Sequence, residues 1–160
     1  MDSARALLEA SFELGAPSAV VAHSFGAAAT GIALAGGLLT EKVVVLPPPL
    51  RLSGSLMTSP LGIALPPRAA RAFRRTVERH AGADPPSLSL SALAPAMSVP
   101  ALFLHDPADL HTPYAAVAAT VAAWPGSKLV ATPGTGHYRL LRDPAVVRTS
   151  IEWITGGRHQ

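Results

Sequence analysis

The sequence predicts an α/β fold in which a short parallel sheet lies between layers of helices, and three observations carry that prediction. Four short apolar runs, "SAVVAH", "EKVVVL", "VPALFLH" and "SKLVAT", read as strands buried on both faces. Helical segments stand between the first and second runs and between the third and fourth. Strands joined in this way need crossover connections and therefore pair in parallel. A chain of 160 residues is long enough for one domain with a real core and short for two. A single domain over 1–160 is expected.

Asp2 or Ser3 caps a first helix that runs to Leu14, with Leu7, Leu8, Ser11 and Phe12 as its inner stripe and Gly15 as its stop. "PSAVVAH" is the first strand. "FGAAATGIALAGG" follows as a helix of small residues that can lie close to a sheet, ending at Gly36 and Gly37, and "EKVVVL" is the second strand. The pattern then changes. Residues 47–97, rich in Pro, Ser and Gly, carry no strand signal and read as an inserted, partly helical cap. Within it, "PPRAARAFRRTVERHAG" places Ala70, Phe73 and Val77 at helical spacing and leaves Arg68, Arg71, Arg74, Arg75 and Arg79 on the other faces. Regular structure returns with "VPALFLH". Thr112 and Pro113 look like the cap and first turn of a helix through Ala123, "SKLVAT" is the last strand, and Asp143 and Pro144 start a final helix through Ile154. Val146, Val147, Ile151 and Ile154 are its expected inner stripe.

Composition narrows the function classes. With 49% hydrophobic and 14% charged residues the chain is richer in apolar residues than a typical soluble domain, which favours a well-buried core or an oligomer. No apolar run approaches the roughly 18 residues of a membrane span. The opening "MDSARALLEASFELG" is acidic and helix-periodic where a secretory signal would be basic and then apolar, so the expected location is cytoplasmic, away from membranes. The absence of cysteine excludes disulfides and thiolate metal sites. The net charge of +3 suggests a nucleic-acid partner only if the basic residues converge. No nucleic-acid motif accompanies the arginine helix, so it reads as a solvated face, with weak anion binding as the alternative.

Active sites of open parallel sheets gather beyond the carboxyl ends of the strands. Those ends carry Ser24 after the first run, "HDPAD" after the third and "PGTGH" after the fourth, so a hydroxyl, carboxylates and an imidazole emerge on one edge. Taken singly, Ser24 reads as a helix cap, Asp109 as a turn residue and His137 as a loop residue bonded to its own backbone.

Together, "AHSFG", "VPALFLHDPADLHTP" and "PGTGHYRLLRDP", in this order, resemble the α/β-hydrolase superfamily, with serine, acid and histidine in the family's chain order. The resemblance runs from about Pro17 to Ile154. It implies a serine esterase or lipase-like enzyme, here with a truncated fold lacking the N-terminal strands. Ser24 matches the nucleophile of G-x-S-x-G, with Ala22 in place of the first glycine. His137 matches the general base and acid, and Asp109 the acid that orients the imidazolium. Asp106 stands where the family usually has glycine and competes for the acid role or supports the loop. The Phe25 amide matches one of the two oxyanion donors; the loop that supplies the other in relatives precedes the nucleophile strand and has no counterpart here.

The implied reaction is hydrolysis of carboxylic esters through an acyl-serine intermediate, without cofactor or metal, on small-molecule substrates. The scattered His23, His80, His105, His111 and His159 lack metal-ligand spacing. Leu50, Leu52, Leu56, Met57, Leu61 and Ile63 suggest an apolar pocket for a short or medium acyl group. Without the early strands, "SAVVAH" would lie at an edge of the sheet and pair with another chain, so a homodimer is expected. The alternative function is a non-catalytic module whose retained half-fold serves to pair with a second polypeptide that carries the missing strands.

Overall fold

The computed structural model describes residues 2–48, 66–69, 71–72, 75–76 and 89–156. The suggested pocket residues Leu50, Leu52, Leu56, Met57, Leu61 and Ile63 lie outside these, as do Arg74 and Arg79, while Arg68, Arg71 and Arg75 are exposed.

The elements follow in the order α1 (Asp2–Leu14), β1 (Ala19–His23), α2 (Phe25–Ala35), β2 (Lys42–Leu46), α3 (Leu90–Leu93), β3 (Ala101–His105), α4 (Tyr114–Ala123), β4 (Lys128–Ala131), α5 (Gly136–Arg139) and α6 (Pro144–Thr155). The four strands form one sheet in the order β1-β2-β3-β4, with every pair parallel. This is the α/β layering that the four apolar runs call for. Consecutive strands are neighbours, so each crossover moves one place across the sheet. All four carboxyl ends therefore point the same way.

Alternation along the strands divides the core. Ala22, Val43, Val45, Ala101 and Phe103 face Ala27 of α2, Leu90 of α3 and Val117 of α4. Val44, Leu46, Leu102 and Leu104 face the other way, onto Leu140 and Val146. Ala27, Ala28, Ala29, Gly31 and Ala33 make the buried side of α2. A Cβ at Gly31 would lie 2.5 Å from Leu90 Cδ1, so the missing side chain is what lets α2 and α3 approach. Leu90, Ala94 and Met97 thus belong to the main core, and the end of the 47–97 segment is helical.

Three local readings give way to tertiary packing. Thr112 does not cap α4: its hydroxyl donates to the Pro48 carbonyl at 3.0 Å and Pro113 takes the cap position. Phe12 is 92% exposed, and α1 is instead anchored through buried Ala4 with Leu7 and Leu8. On α6, Val146 and Ser150 are buried with Trp153 and Ile154 against the core, whereas Val147 and Ile151 are exposed. The helix is rotated by about one position (100° per residue) from the expected stripe. Its start is as expected, with Asp143 accepting from the amides of Ala145 and Val146.

Candidate active site

Ser24 lies in the turn between β1 and α2 with φ 51°, and among the described residues it alone combines a side chain with positive φ. A non-glycine residue in that region is strained by its own Cβ. The turn is held because the Ser24 amide donates to the Pro47 carbonyl at 3.1 Å, beyond the end of β2. Proline has no N–H to give, yet its carbonyl accepts. Ala22, two residues before, is buried within the apolar cluster, which has room for the methyl that replaces the first glycine of G-x-S-x-G. The Ser24 hydroxyl makes no capping bond to α2.

It faces His137 instead. Ser24 Oγ is 3.2 Å from His137 Nε2, and His137 Nδ1 is 2.9 Å from Asp109 Oδ2. Asp109 Oδ1 accepts from the amides of His111 at 2.6 Å and Thr112 at 3.1 Å, so one oxygen closes the turn while the other meets the imidazole. The local and the long-range readings of Asp109 are therefore both satisfied, each by its own oxygen.

These neighbours fix the protonation states. Burial pushes the Asp109 carboxyl up, but the His137 hydrogen bond and the two backbone amides outweigh it and hold the group below its ordinary value of 3.8. Asp109 is thus the anion that accepts from Nδ1–H. Burial lowers His137 below 6.5; the Asp109 hydrogen bond and charge oppose this, while the nearby His111 and His23 add to it. With its proton on Nδ1, neutral His137 presents the Nε2 lone pair to the Ser24 hydroxyl.

Asp106, three residues before Asp109, does not touch the imidazole. Oδ1 accepts from Ala108 N at 2.9 Å and Oδ2 from Gly136 N at 2.6 Å. These backbone bonds to Ala108 and Gly136 hold its carboxyl below 3.8. His105, fully buried at the end of β3, donates from Nε2 to the Thr112 carbonyl at 2.9 Å and closes the loop that carries both aspartates. His23, to which the sequence assigned no chemistry, donates from Nε2 to the His137 carbonyl at 2.9 Å. His111 and Tyr138 complete a cluster of rings, their centroids 4.8 and 4.9 Å from that of His137. The sequence hint for His23 and Asp106 was placement: each is at, or one residue past, a strand's carboxyl end.

Phe25 is the first residue of α2, where backbone N–H groups have no intrahelical acceptor. Among the described residues no three His, Cys, Asp or Glu side chains group as a metal site, and no helix is long and apolar enough to cross a membrane.

Residues 75–160, which include Asp109 and His137, match the α/β-hydrolase family model described as TAP-like protein. The chain belongs to this family. The match begins after Ser24, and solved structures extend the TAP-like chain's likeness to the rest. An esterase, EaEST, from Exiguobacterium antarcticum superposes with a TM-score of 0.65 at 13% identity, over 95% of this chain and 72% of its own. A candidate non-haem bromoperoxidase, BpoC, from Mycobacterium tuberculosis H37Rv gives 0.62 at 18%, over 97% and 72%. A butyrate-bound thermophilic esterase, Est2, from Thermogutta terrifontis gives 0.63 at 16%, over 97% and 64%. At such identities the likeness is one of fold. No curated protein matches the chain.

Proposed function

We propose that the chain is a serine hydrolase of carboxylic esters that works through an acyl-Ser24 intermediate. One observation carries the reading: the His137 ring lies within hydrogen-bond reach of both the Ser24 hydroxyl and the Asp109 carboxylate. His137 Nε2 takes the proton as Ser24 Oγ attacks the ester carbonyl carbon, and Asp109 stabilises the imidazolium. The carbonyl electrons move onto oxygen, which faces the Phe25 N–H. The intermediate collapses, the C–O bond to the leaving group breaks, and His137 returns its proton to the departing alcohol. Water then attacks the acyl-serine with His137 again as base; the acid leaves and Ser24 regains its proton. The likeness to a butyrate-bound esterase supports short acyl groups as the first substrates to test.

A fluorophosphonate probe should label the protein at Ser24 and p-nitrophenyl butyrate should be hydrolysed, with both lost in Ser24→Ala. Undiminished labelling of Ser24→Ala would take the nucleophile's role from this residue.

One observation favours a second role, assembly with another copy of the chain. Among the described residues strand β1 pairs only with β2, and Val21, in its middle, is 53% exposed, so there the strand offers unpaired backbone groups and an apolar side chain together. Light scattering on the purified chain separates the readings. A dimer without turnover favours an assembly module, and a dimer with turnover makes the two compatible.

A further inference from the structure

We propose that His23 and Asp106 form a backbone clamp that positions the imidazole of His137 over Ser24, making both of them positioning residues of the hydrolytic site. The inference rests on the hydrolase reading for its kinetic consequences only.

The need for a clamp follows from the strand order. Ser24 follows β1 and His137 comes after β4, and these are opposite edges of the sheet. At the usual strand spacing the edges are about 14 Å apart. The segment after β4 must therefore run back across the strand ends to bring its histidine to the serine. It does so through a turn and the single helical turn of α5. A helix that short has too few internal hydrogen bonds to hold a side chain to within a few tenths of an ångström.

Side chains from the strand ends beneath supply what is missing. From the end of β1, His23 Nε2–H donates to the His137 carbonyl at 2.9 Å. From just past β3, Asp106 Oδ2 accepts the Gly136 N–H at 2.6 Å. One bond holds the amide of the residue before the imidazole and the other holds the carbonyl of the residue that bears it. The peptide units that flank the Gly136–His137 step, one before Gly136 and one after His137, are thereby each held from a strand end. Gly136 has φ 62°, a conformation that leaves its N–H free to reach down to the carboxylate.

The two partners also tie this turn to the rest of the site. His23 is covalently next to Ser24. The Asp106 carbonyl accepts the Asp109 N–H at 3.0 Å, so the same residue fixes the backbone of the acid. Thus Asp109 orients the ring of His137, while His23 and Asp106 locate its backbone. Each carboxylate has a separate task, and exchanging one for an amide should have separate consequences. Neither member of the clamp bonds the atoms that react: His23 meets a carbonyl oxygen and Asp106 meets backbone amides.

The test uses the full chain carrying His23→Phe, which keeps an aromatic ring and removes the donor, His23→Gln, whose amide can donate in its place, and Asp106→Asn. Two readouts are taken: p-nitrophenyl butyrate kinetics, and the long-range ¹H–¹⁵N spectrum of histidine-labelled protein, which reports the His137 tautomer whether or not the chain turns over. In the wild type His137 should be held as the Nδ1–H tautomer. In His23→Phe and Asp106→Asn it should populate both tautomers, and kcat should fall by about ten- to hundredfold with KM within about twofold, since a displaced catalytic group costs rate more than binding. His23→Gln should restore most of the loss.

If His23→Phe and Asp106→Asn both keep the wild-type tautomer and kcat, the clamp is overturned. Should His23→Phe fail to fold, Asp106→Asn decides by the same readouts. If the wild type neither hydrolyses the ester nor labels, the hydrolase reading fails, and the tautomer spectra still decide whether these residues hold His137.

Discussion

Phe103, in the middle of β3, and His105, two residues along the same strand, are equally buried, yet they are built on opposite terms. Phe103 packs edge-on against Trp124 among valines and alanines, and its value lies in volume and shape. His105 gives its Nε2 proton to the Thr112 carbonyl, and its value lies in one directed bond that closes the acid-bearing loop. The same step is taken on β1, where buried Ala22 is followed by His23 and the strained Ser24. The sheet's interior tolerates replacements that conserve volume, whereas its carboxyl end needs particular atoms at particular places. Stability and chemistry are thereby assigned to neighbouring residues, and substitutions should separate them.

The largest separation should come from Asp109→Asn. On the hydrolase reading, turnover should fall by on the order of 10⁴, because the amide no longer fixes the imidazole tautomer. Asp109 also opposes the burial that lowers His137, so its removal should move the acid limb of kcat/KM to still lower pH. Wild-type kcat/KM should lose activity with a midpoint below 6.5, the ordinary histidine value. Steady-state pH profiles of both proteins check this, and an unshifted limb in the variant would separate Asp109 from His137.

Phe103→Ala makes the opposite test. It should cost about 3–5 kcal/mol of stability by leaving a cavity between the sheet and Trp124. At temperatures where the variant remains folded, kcat should stay within about threefold of wild type, because a cavity in mid-sheet leaves the strand ends in place. Urea unfolding followed by tryptophan fluorescence, alongside ester turnover, measures both quantities. A collapse of kcat in fully folded protein would break the separation of core from site.

Acid should weaken the carboxyl end selectively. Asp106 and Asp109 titrate below 3.8 when folded, so their contribution to stability is present above that pH and is lost as pH falls through their folded values. His137 adds to the slope from higher pH: lowered when folded, it leaves the unfolded chain with more protons bound between its folded value and 6.5, and stability falls with pH across that window. Urea midpoints measured from neutral pH downward should decline first below about 6.5 and again below about 4. The lower decline should be shallower in Asp106→Asn.

The smallest effect is expected at the sheet's edge. Val21→Lys places a charge on an exposed position of β1 and should change monomer stability by less than about 0.5 kcal/mol. If β1 mediates pairing of two copies, the same substitution should convert dimer to monomer in light scattering. Val21→Lys that stays dimeric would place the contact elsewhere.

Much of this was legible locally. The valine-rich runs declare strands, their separation by helices declares parallel pairing, and Asp143-Pro144 declares the start of α6, because each depends on residues within a few positions of one another. That Ser24, the two aspartates of "HDPAD" and His137 emerge together was also legible, through strand order: residues that follow parallel strands must emerge on one edge. Thr112 shows the limit. Its capping signal is genuine in isolation, but Pro48, 64 positions away, accepts its hydroxyl. Val147 and Ile151 show a second limit, since an apolar helix has several stripes of suitable period and only docking against β2 and β3 chose the one through Val146.

The sequence by itself determined which segments become strands and helices, that the strands run in parallel, and that a hydroxyl, an acid and an imidazole are delivered to the same end of the sheet. Only the tertiary structure decided which aspartate meets the imidazole, which face of α6 is buried, and that His23 and Asp106 grip the backbone around His137. The physical reason is range. Backbone propensity and capping act over a turn or a strand, whereas the bond from His23 spans 114 positions and that from Asp106 spans 30. At such separations a hydrogen bond exists only because the packed sheet has brought its two ends within 3 Å.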